Sequence, residues 1–352
     1  MQKTVAEINL KAIKENAQAF VERTGAKLCA VVKANAYGHG ATEVVSALTG
    51  VAECFAVAIV EEGIAIKPAA CGKEILVFTP PSDETEAAAI IKEGFTACAV
   101  DYFSAQLLAS VAERLGKRVK VHLKVNTGMN RYGMGENELK RVCRFLSKQK
   151  FVLVEGVFSH LYQTRKRTAE KQRELFLRLT ELCRSYYPNA TRHLSATYGA
   201  LLGEAFAFDM VRIGIGLYGY LPCEKKLLPK PPRLQKAMKV YARVLLNRRY
   251  AFGGAGYGED FSGLIKKGGW LNLLRVGYAD GFLRRKRNGT DGAEKNANNL
   301  CMDICIRKGR ATKGEWIPVM TDAEKTAKKT GTICYEVLCA ATSRAERRYL
   351  YE

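Results

Sequence analysis

The chain has no apolar run long enough to span a bilayer and no segment that resembles a secretory signal. From Met1 to Phe20, charged residues are scattered at helical spacing, so the N-terminus lacks the apolar core of a signal peptide. No internal repeat is evident either. With 352 residues, 47% of them hydrophobic, the sequence predicts a soluble cytoplasmic protein with a substantial core in one large domain or two.

Histidine is scarce, and the cysteines lack the spacing of a metal site. The eleven cysteines include no C-x-x-C pair, and the four histidines lie far from any two neighbouring cysteines. These histidines are His39, His122, His160 and His193. The sequence therefore gives no support to a zinc site, and no metal is expected. Since Cys29, Cys98, Cys143 and Cys183 fall in apparent strands and helices, we expect reduced, mostly buried thiols.

Acidic residues are in the minority: 35 Asp and Glu stand against 56 Lys and Arg, a formal net charge of +21. Basic runs such as Arg165 to Arg167 and Arg284 to Arg287 could contact phosphate backbones. However, no stretch interleaves basic and aromatic residues, and no helix-turn-helix or RNA-binding signature is present. The basic runs are therefore interpreted as solvated loops, with nucleic-acid binding kept as an alternative.

Short apolar segments alternate with amphipathic ones over the first two thirds of the chain. Eight segments are typical of strands: Leu28 to Ala34, Cys54 to Val60, Glu74 to Phe78, Ala97 to Val100, Val119 to Val125, Val152 to Ser159, His193 to Ser195 and Met210 to Tyr218. Helical patterns lie between them and also precede them, around Leu10 to Arg23. Eight strand and helix units in sequence predict a (β/α)8 TIM barrel.

The alternation ends in a Lys- and Pro-rich segment, Leu221 to Arg233, which is typical of a linker. After it, strands are predicted at Val240 to Leu246, Trp270 to Tyr278 and Ile333 to Ala341, with one helical stretch around Asp322 to Lys329. The predicted organisation is a barrel domain over residues 1–232 and a C-terminal mainly-β domain over residues 233–352.

The first predicted strand delivers a single lysine, Lys33, into a turn of small residues. Burial at the end of an apolar strand disfavours the charged form of a lysine, which lowers its pKa and makes its amine a nucleophile for Schiff-base chemistry. The alternative is that Lys33 only ends a core strand and extends its amine to solvent.

The stretch A-V-V-K-A-N-A-Y-G-H-G, residues 30–40, resembles the pyridoxal phosphate lysine motif of the alanine racemase family. The resemblance extends over nearly the whole chain, from Ala6 to about Cys339. It implies that Lys33 carries pyridoxal 5'-phosphate as a Schiff base and that Tyr37 contacts the phosphate. The family's second phosphate-binding tyrosine is matched by Tyr335 in T-I-C-Y-E-V.

Two further segments resemble cofactor-binding parts of the family's barrel. V-H-L-K-V-N-T-G-M-N-R-Y-G-M, Val121 to Met134, implies that Lys124 is a carbamylated lysine and that Arg131 reaches the cofactor's phenolic oxygen and the substrate carboxylate. M-V-R-I-G-I-G-L-Y-G, Met210 to Gly219, implies that Arg212 bonds the pyridine nitrogen and that Gly214 and Ile215 bind phosphate. Thr197 stands where the family has a phosphate-binding serine, and it keeps the hydroxyl.

The resemblance also implies a second catalytic base. G-A-G-Y-G, residues 254–258, makes Tyr257 the partner of Lys33, activated through His160 and Arg212. R-V-G-Y-A-D-G places Tyr278 at the substrate entrance, and C-M-D places Met302 near the substrate carboxylate. The preceding segment, Leu283 to Leu300, is polar and basic and lacks the family's apolar strand. In this family the β domain reaches the other subunit's cofactor, which implies a homodimer with composite active sites.

The sequence is therefore interpreted as a pyridoxal phosphate-dependent alanine racemase. Two bases on opposite faces of a flat intermediate are what inversion requires, with Lys33 on the D-face and Tyr257 on the L-face. A racemase of another small amino acid, such as serine, is the alternative within the fold, although Tyr335 favours alanine by crowding a longer side chain. A decarboxylase is disfavoured by Arg212, and a non-catalytic, basic relative stays open. The role, in D-alanine supply for peptidoglycan or in catabolism, is open as well.

Overall fold

The computed structural model describes residues 4–163, 165–224, 228, 230–250, 269–283 and 299–351. The chain divides into two compact units. The barrel unit comprises Ala12–Ala36 and Ala41–Gln235, and the β unit comprises Met1–Lys11, Tyr37–Gly40 and Lys236–Glu352. Among the helices of the described residues, none is both long and apolar enough to cross a membrane.

The strands, in chain order, are β1 (Thr4–Asn9), β2 (Lys27–Val31), β3 (Cys54–Val57), β4 (Glu74–Val77), β5 (Thr96–Ala99), β6 (Val119–Lys124), β7 (Val152–Phe158), β8 (Thr191–His193), β9 (Met210–Ile213), β10 (Met238–Tyr250), β11 (Gly269–Leu274), β12 (Asn299–Leu300), β13 (Cys305–Lys308), β14 (Trp316–Met320) and β15 (Ala345–Leu350). The helices are α1 (Leu10–Thr24), α2 (Lys33–Tyr37), α3 (Ala41–Leu48), α4 (Val60–Ile66), α5 (Glu84–Glu93), α6 (Tyr102–Leu115), α7 (Glu136–Leu146), α8 (Lys166–Arg184), α9 (Thr197–Leu201), α10 (Ala323–Thr330) and α11 (Cys334–Ala340).

The barrel unit contains the eight predicted strands in one parallel sheet, with the order β8-β7-β6-β5-β4-β3-β2-β9. Hydrogen bonds between the two ends of this order close it: the N–H groups of Asp209 and Arg212 donate to the carbonyls of Arg192 and Ser195, at 3.1 and 2.9 Å. Strands such as β3 and β5 are buried along their whole length, as expected for parallel strands covered by helices. The predicted barrel is confirmed.

The helices around the barrel begin and end where side-chain and glycine caps satisfy the backbone. Asp83 caps α5 by accepting from the N–H of Glu86, and Gly94 ends that helix in the left-handed region. Asp101 forms a capping box at the start of α6. These caps fix the helix lengths, and so the positions of the loops between helices and strands.

The β unit is built on the long strand β10, which pairs antiparallel with β1, β11 and β14. The first strand, β1, also pairs in parallel with β15 at the end of the chain. The predicted division placed residues 1–232 with the barrel, whereas β1 lies between two strands of the β unit. One core cluster of this unit consists of Ala242, Val244, Leu274, Val276 and Cys305.

One predicted strand of the β unit is wrong. The segment Ile333 to Ala341 forms α11, Cys334–Ala340, and not a strand. Its buried residues, Val337, Leu338 and Ala341, follow a helical spacing and not a strict alternation. The helix predicted around Asp322 to Lys329 is confirmed by α10, for which Asp322 is the N-cap.

Candidate active site at the barrel strand ends

Lys33 lies two residues after β2, at the start of a turn with an unusual backbone. Ala34, Asn35, Ala36 and Tyr37 all have φ between 51 and 53°. A run of four non-glycine residues in the left-handed region is costly, on the order of 1–2 kcal/mol per residue. Such strain persists where the surrounding structure imposes it, and it is concentrated at functional sites.

Hydrogen bonds within the barrel unit hold this turn. The N–H of Ala34 donates to Oε1 of Glu62 at 2.6 Å, and the Oδ1 of Asn35 accepts from the N–H of Ala41 at 2.7 Å. The N–H of Ala36 donates to the carbonyl of Val32 at 2.7 Å. The turn therefore sets the direction in which Lys33 leaves the end of β2.

Arg212 on β9 is buried, and its guanidinium is held by the ends of neighbouring strands. Its Nη1 donates to the carbonyl of His193 at 2.6 Å and to the Nδ1 of that residue at 3.0 Å. Its Nη2 donates to the carbonyls of Ser159 and Leu194, at 2.6 and 3.1 Å. Burial lowers the pKa of Arg212 to about 10, so the group stays charged at neutral pH. These bonds use Nη1 and Nη2 and fix the plane of the guanidinium.

His160 follows β7, with its Nδ1 3.4 Å from Nη2 of Arg212. Burial and the charges of Arg212 and Lys124 lower the pKa of His160 to about 3, so the ring is neutral. Because an arginine only donates, Nδ1 of His160 accepts and its Nε2 carries the proton. His160 can therefore donate from Nε2 to an oxygen that faces it.

Lys124 ends β6 and is 6% exposed. Its Nζ lies 4.6 Å from the centroid of the Phe158 ring. Burial, and then the charge of Arg212, lower the pKa of Lys124 to about 8. A substantial fraction of this amine is neutral near pH 8, which is the form that reacts with electrophiles such as carbon dioxide.

Arg131 lies in the loop that follows β6, and it is exposed. Its charge contributes to the lowered pKa values of both Lys124 and His160, which places it on the same side of the barrel as these groups. Asn126 organises the loop by accepting at Oδ1 from the N–H groups of Gly128 and Asn130, at 2.9 and 3.2 Å.

Thr197 and the turn after β9 come together as a candidate phosphate site. The Oγ1 of Thr197 accepts from the N–H of Gly216 at 3.2 Å, and Gly214 and Ile215 immediately precede Gly216 in the turn. A Cβ at Gly216 would lie 2.6 Å from the ring of Phe20, so the turn needs glycine there. The structure therefore brings together a hydroxyl and the tight turn that the motif predicted.

Within the β unit, Tyr37 and Tyr335 pack with ring centroids 6.0 Å apart. Burial raises the pKa of Tyr335 to about 12, so its hydroxyl stays protonated and can donate.

The N–H of Tyr278 donates to the carbonyl of Cys301 at 3.1 Å, next to Met302. Both Tyr278 and Met302 are exposed. Tyr257 and most of the segment from Leu283 to Leu300 lie outside the described residues.

Sequence reasoning missed two residues of the site, His122 and His193. Neither has a role in the site that the sequence predicts, yet His193 donates and accepts within the Arg212 network and His122 contacts His193. The available signal was the position of each histidine within an apolar strand, since buried polar groups in proteins have hydrogen-bond partners.

The donors at the strand ends suit pyridoxal phosphate. Lys33 offers an amine for the carbonyl carbon, the Nε–H of Arg212 suits an unprotonated ring nitrogen, and Thr197 with its turn suits a phosphate. The β unit's Tyr37 and Tyr335 offer two more hydroxyl groups. Within the barrel unit, Lys33, Arg212 and Thr197 match the aldehyde, pyridine and phosphate of the cofactor.

Comparison with known proteins agrees with this chemistry. The model of the alanine racemase N-terminal domain matches residues 8–222, and that of the C-terminal domain matches residues 237–349. The chain is 33% identical to alanine racemase 1 of Bacillus subtilis, over 99% of this chain and 93% of that protein. It is 31% identical to alanine racemase 2 of Caldanaerobacter subterraneus subsp. tengcongensis, over 99% and 95%.

Solved structures give the same result. An alanine racemase from Clostridium difficile 630 superposes with a TM-score of 0.89, at 28% identity over 99% of this chain and 96% of that chain. A Bartonella henselae alanine racemase with covalently bound pyridoxal phosphate superposes with a TM-score of 0.86, at 26% identity over 99% and 100%. The chain therefore belongs to the alanine racemase family and is an isomerase of the amino-acid racemase class.

Proposed function

We propose that the protein interconverts L-alanine and D-alanine with pyridoxal 5'-phosphate, using Lys33 and Tyr257 as two bases. The observation that carries the proposal is the meeting of Arg212, His160 and Lys124 at the barrel strand ends, in the unit that presents Lys33 on a strained turn. When bound, the cofactor would supply an electron sink that acidifies the α-proton of the amino-acid substrate.

In this proposal Lys33 would hold the cofactor covalently in the absence of substrate, and its amine, once released, would exchange the α-proton on the D-face. Tyr257 exchanges it on the L-face. A phenol has a pKa near 10 and needs help to lose its proton at neutral pH. The Nε2–H of His160 would supply that help by donating to the phenolate oxygen, since Arg212 already occupies the Nδ1 of His160.

Arg212 would donate its Nε–H to the pyridine nitrogen. Because arginine keeps its protons, the ring nitrogen stays unprotonated and the electron sink is weakened. A weaker sink disfavours decarboxylation and transamination, which leaves racemisation as the favoured outcome. Thr197, Gly214, Ile215, Tyr37 and Tyr335 would hold the phosphate.

The substrate would be held by its carboxylate. Arg131, with Met302 nearby, would bind this group, and Tyr278 would lie at the entrance. We also propose carbamylation of Lys124, which would replace a cation with an anion and hold the guanidinium of Arg131.

The active enzyme would be a cytoplasmic homodimer in which Tyr257 serves the partner subunit's Lys33. The reaction would serve either D-alanine supply for peptidoglycan or alanine catabolism.

The test is α-proton exchange of L-alanine in heavy water, followed by proton NMR and chiral analysis, on the pyridoxal phosphate-loaded protein and on Tyr257→Phe. We expect the parent to exchange the proton and accumulate D-alanine. In Tyr257→Phe, exchange from L-alanine should fall at least about 100-fold, since one acid–base group is worth about 10²–10⁴-fold.

Tyr186→Phe is the matched control, because Tyr186 is a surface residue just after α8 and has no role in the proposal. It should behave as the parent. A loaded protein that neither exchanges nor racemises alanine would refute the proposed reaction, and L-serine would then be tested as the substrate.

A further inference from the structure

A chain of polar side chains, buried except for its last member, runs from Arg212 through the barrel interior to Glu74. Nη1 of Arg212 lies 3.0 Å from Nδ1 of His193, and Nε2 of His193 lies 2.9 Å from Nδ1 of His122. Nε2 of His122 lies 3.8 Å from Oε1 of Glu74. His193, His122 and Arg212 are each no more than 3% exposed. The chain joins groups on β9, β8, β6 and β4.

The proton on each nitrogen of this chain is determined by Arg212. A guanidinium only donates, so Nδ1 of His193 must accept. Burial lowers the pKa of His193 far below its usual value and that of His122 to about 4, so both rings are neutral and carry one proton each. His193 therefore donates from Nε2 to Nδ1 of His122, and His122 directs its own Nε2–H at Glu74.

The barrel is shaped to hold both rings. A Cβ at Gly156 on β7 would lie 2.7 Å from three ring atoms of His122, so only glycine leaves room for the imidazole. The pairing of β6 with β7 shifts register between Val121 and His122, beside this contact. Phe158 stacks on His193 with centroids 4.9 Å apart and an angle of 6° between the rings. Both imidazoles are thus fixed in plane and position.

The far end of the chain is a carboxylate that water reaches. Glu74 is the first residue of β4, and its side chain is 30% exposed. Its Oε1 is buried and accepts no hydrogen bond from the described residues. At 3.8 Å from Nε2 of His122, Oε1 faces this ring without a direct hydrogen bond. Lys120 and Glu155 also lie near this end: Glu74 acts on the charge of Lys120, and Glu155 acts on His122.

We propose that Glu74, His122 and His193 form a one-way hydrogen-bond relay that positions Arg212 and draws part of its positive charge toward the opposite end of the barrel. His122 and Glu74 are positioning residues, since they act on the cofactor only through His193 and Arg212. The proposal rests on the proposed function, because its kinetic effect requires Arg212 to face the pyridine nitrogen. Without the relay, the Nε2–H of His193 is buried with no acceptor and Arg212 loses a fixed partner.

The first test reads the tautomers in the cofactor-free protein. With four histidines in the whole chain, a ¹⁵N-histidine-labelled sample gives a spectrum that single substitutions can assign. We expect His193 and His122 both to carry the proton on Nε2 and to stay neutral from pH 5.5 to pH 8. Protonation of either ring at Nδ1, or a charged ring at pH 7, would overturn the relay.

The second test uses variants of the loaded enzyme. His122→Leu removes the ring nitrogen that accepts from His193. We expect kcat to fall about 10- to 100-fold with KM little changed, as when a group beside the reacting atoms, here Arg212, is misplaced. The absorption maximum of the bound cofactor should shift as well. His122→Gln, whose amide oxygen can accept from His193, should recover part of the lost kcat and move the absorption maximum back toward that of the parent. Parent-like kcat and absorption in His122→Leu would overturn the proposal.

Two further variants cover a failure of His122→Leu to fold. Gly156→Ala displaces the His122 ring without removing it, and Glu74→Gln keeps the shape at the far end while removing the charge. The absorption maximum of the bound cofactor should shift in the same direction in Gly156→Ala and in Glu74→Gln. An unchanged absorption maximum in both variants would overturn the relay. If the tautomers are as expected but the parent does not racemise alanine, the relay stands and the proposed function fails.

Discussion

Lys120 and Lys124 lie four residues apart on β6, yet their pKa values shift in opposite directions. The hydrogen bond from Lys120 to Glu155 raises the pKa of Lys120. Burial and the charge of Arg212 lower that of Lys124 to about 8. Since carbon dioxide reacts with a neutral amine, these surroundings would favour the proposed carbamylation at Lys124 over modification of Lys120.

We therefore expect ¹³C-bicarbonate to give a carbamate carbon signal in the protein's NMR spectrum at pH 8. At constant dissolved carbon dioxide, the signal should grow from pH 7 to pH 9, because the neutral fraction of an amine rises as the pH passes its pKa of about 8. Lys124→Met should abolish the signal, and the matched Lys120→Met should keep it. A signal that persists in Lys124→Met would place the modification elsewhere.

The left-handed turn α2 is the element whose local conformation the sequence predicts least well. Ala-Asn-Ala-Tyr has no glycine, although all four residues have positive φ. Ala34 is exposed, so its side chain gains no packing in return for the conformation. Glycine would accept this backbone at no steric cost, whereas alanine does not.

Substitution by glycine should therefore change the free energy of unfolding in opposite directions at two exposed alanines. We expect Ala34→Gly to raise the free energy of unfolding by about 0.5 kcal/mol, as relief of left-handed strain exceeds the entropy that glycine adds to the unfolded chain. Ala65→Gly, in the regular helix α4, should lower it by about 1 kcal/mol. Urea unfolding of the cofactor-free proteins measures both, and a loss of stability in Ala34→Gly would show that the turn is not strained.

The barrel strands could be predicted because each is an apolar run buried on both faces, and such runs stand out from amphipathic helices. The β unit was harder for physical reasons. The segment that forms α11 contains the short apolar run from Val337 to Leu338, which favours strand and helix alike. The place of β1 depends on pairing with β10 and β15, more than 200 residues away in the chain. No local pattern reports such a contact.

The candidate site divides in the same way. The positions of Lys33, Arg212 and Thr197 at or near strand ends could be predicted because each lies in a specific motif beside an apolar run. The hydrogen bonds among Arg212, His193 and His122 could not, because they join three strands whose neighbours are known only once the barrel closes. Glu74 has no motif around it and is linked to the site only through His122.

At the scale of the whole molecule, one cluster of the excess positive charge lies on the solvated face of α7. A cleft of about 430 Å³ beside α7 is lined by Lys140, Arg141, Arg144 and Lys148, together with Tyr102, Asn137 and Phe145. Lys140 pairs with Glu136 at 2.7 Å, and the guanidinium of Arg141 lies 3.7 Å from the Tyr102 ring centroid. Basic side chains engaged within the protein in this way favour the interpretation of the charge as solvated surface.

The proposed composite site makes a prediction about mixed dimers. Lys33→Ala lacks the barrel's base and Tyr257→Phe lacks the β domain's base, so each homodimer should be inactive. If Tyr257 serves the partner subunit, a mixed dimer holds one site with both bases intact and one site with neither. Random reassembly makes half of all dimers mixed, so about a quarter of the sites should be intact and about a quarter of the parent activity should return.

If Tyr257 instead serves its own subunit, no site in the mixed dimer contains both bases, and the mixture stays inactive. Lys33→Ala mixed with the double variant, Lys33→Ala with Tyr257→Phe, is the matched control, because it forms no intact site in either arrangement. Subunits carrying two different tags allow the mixed dimer to be purified, and its racemisation rate then decides between the arrangements. Activity near half that of the parent dimer requires Lys33 and Tyr257 to come from different chains, since no other pairing of these two variants restores both groups to one site.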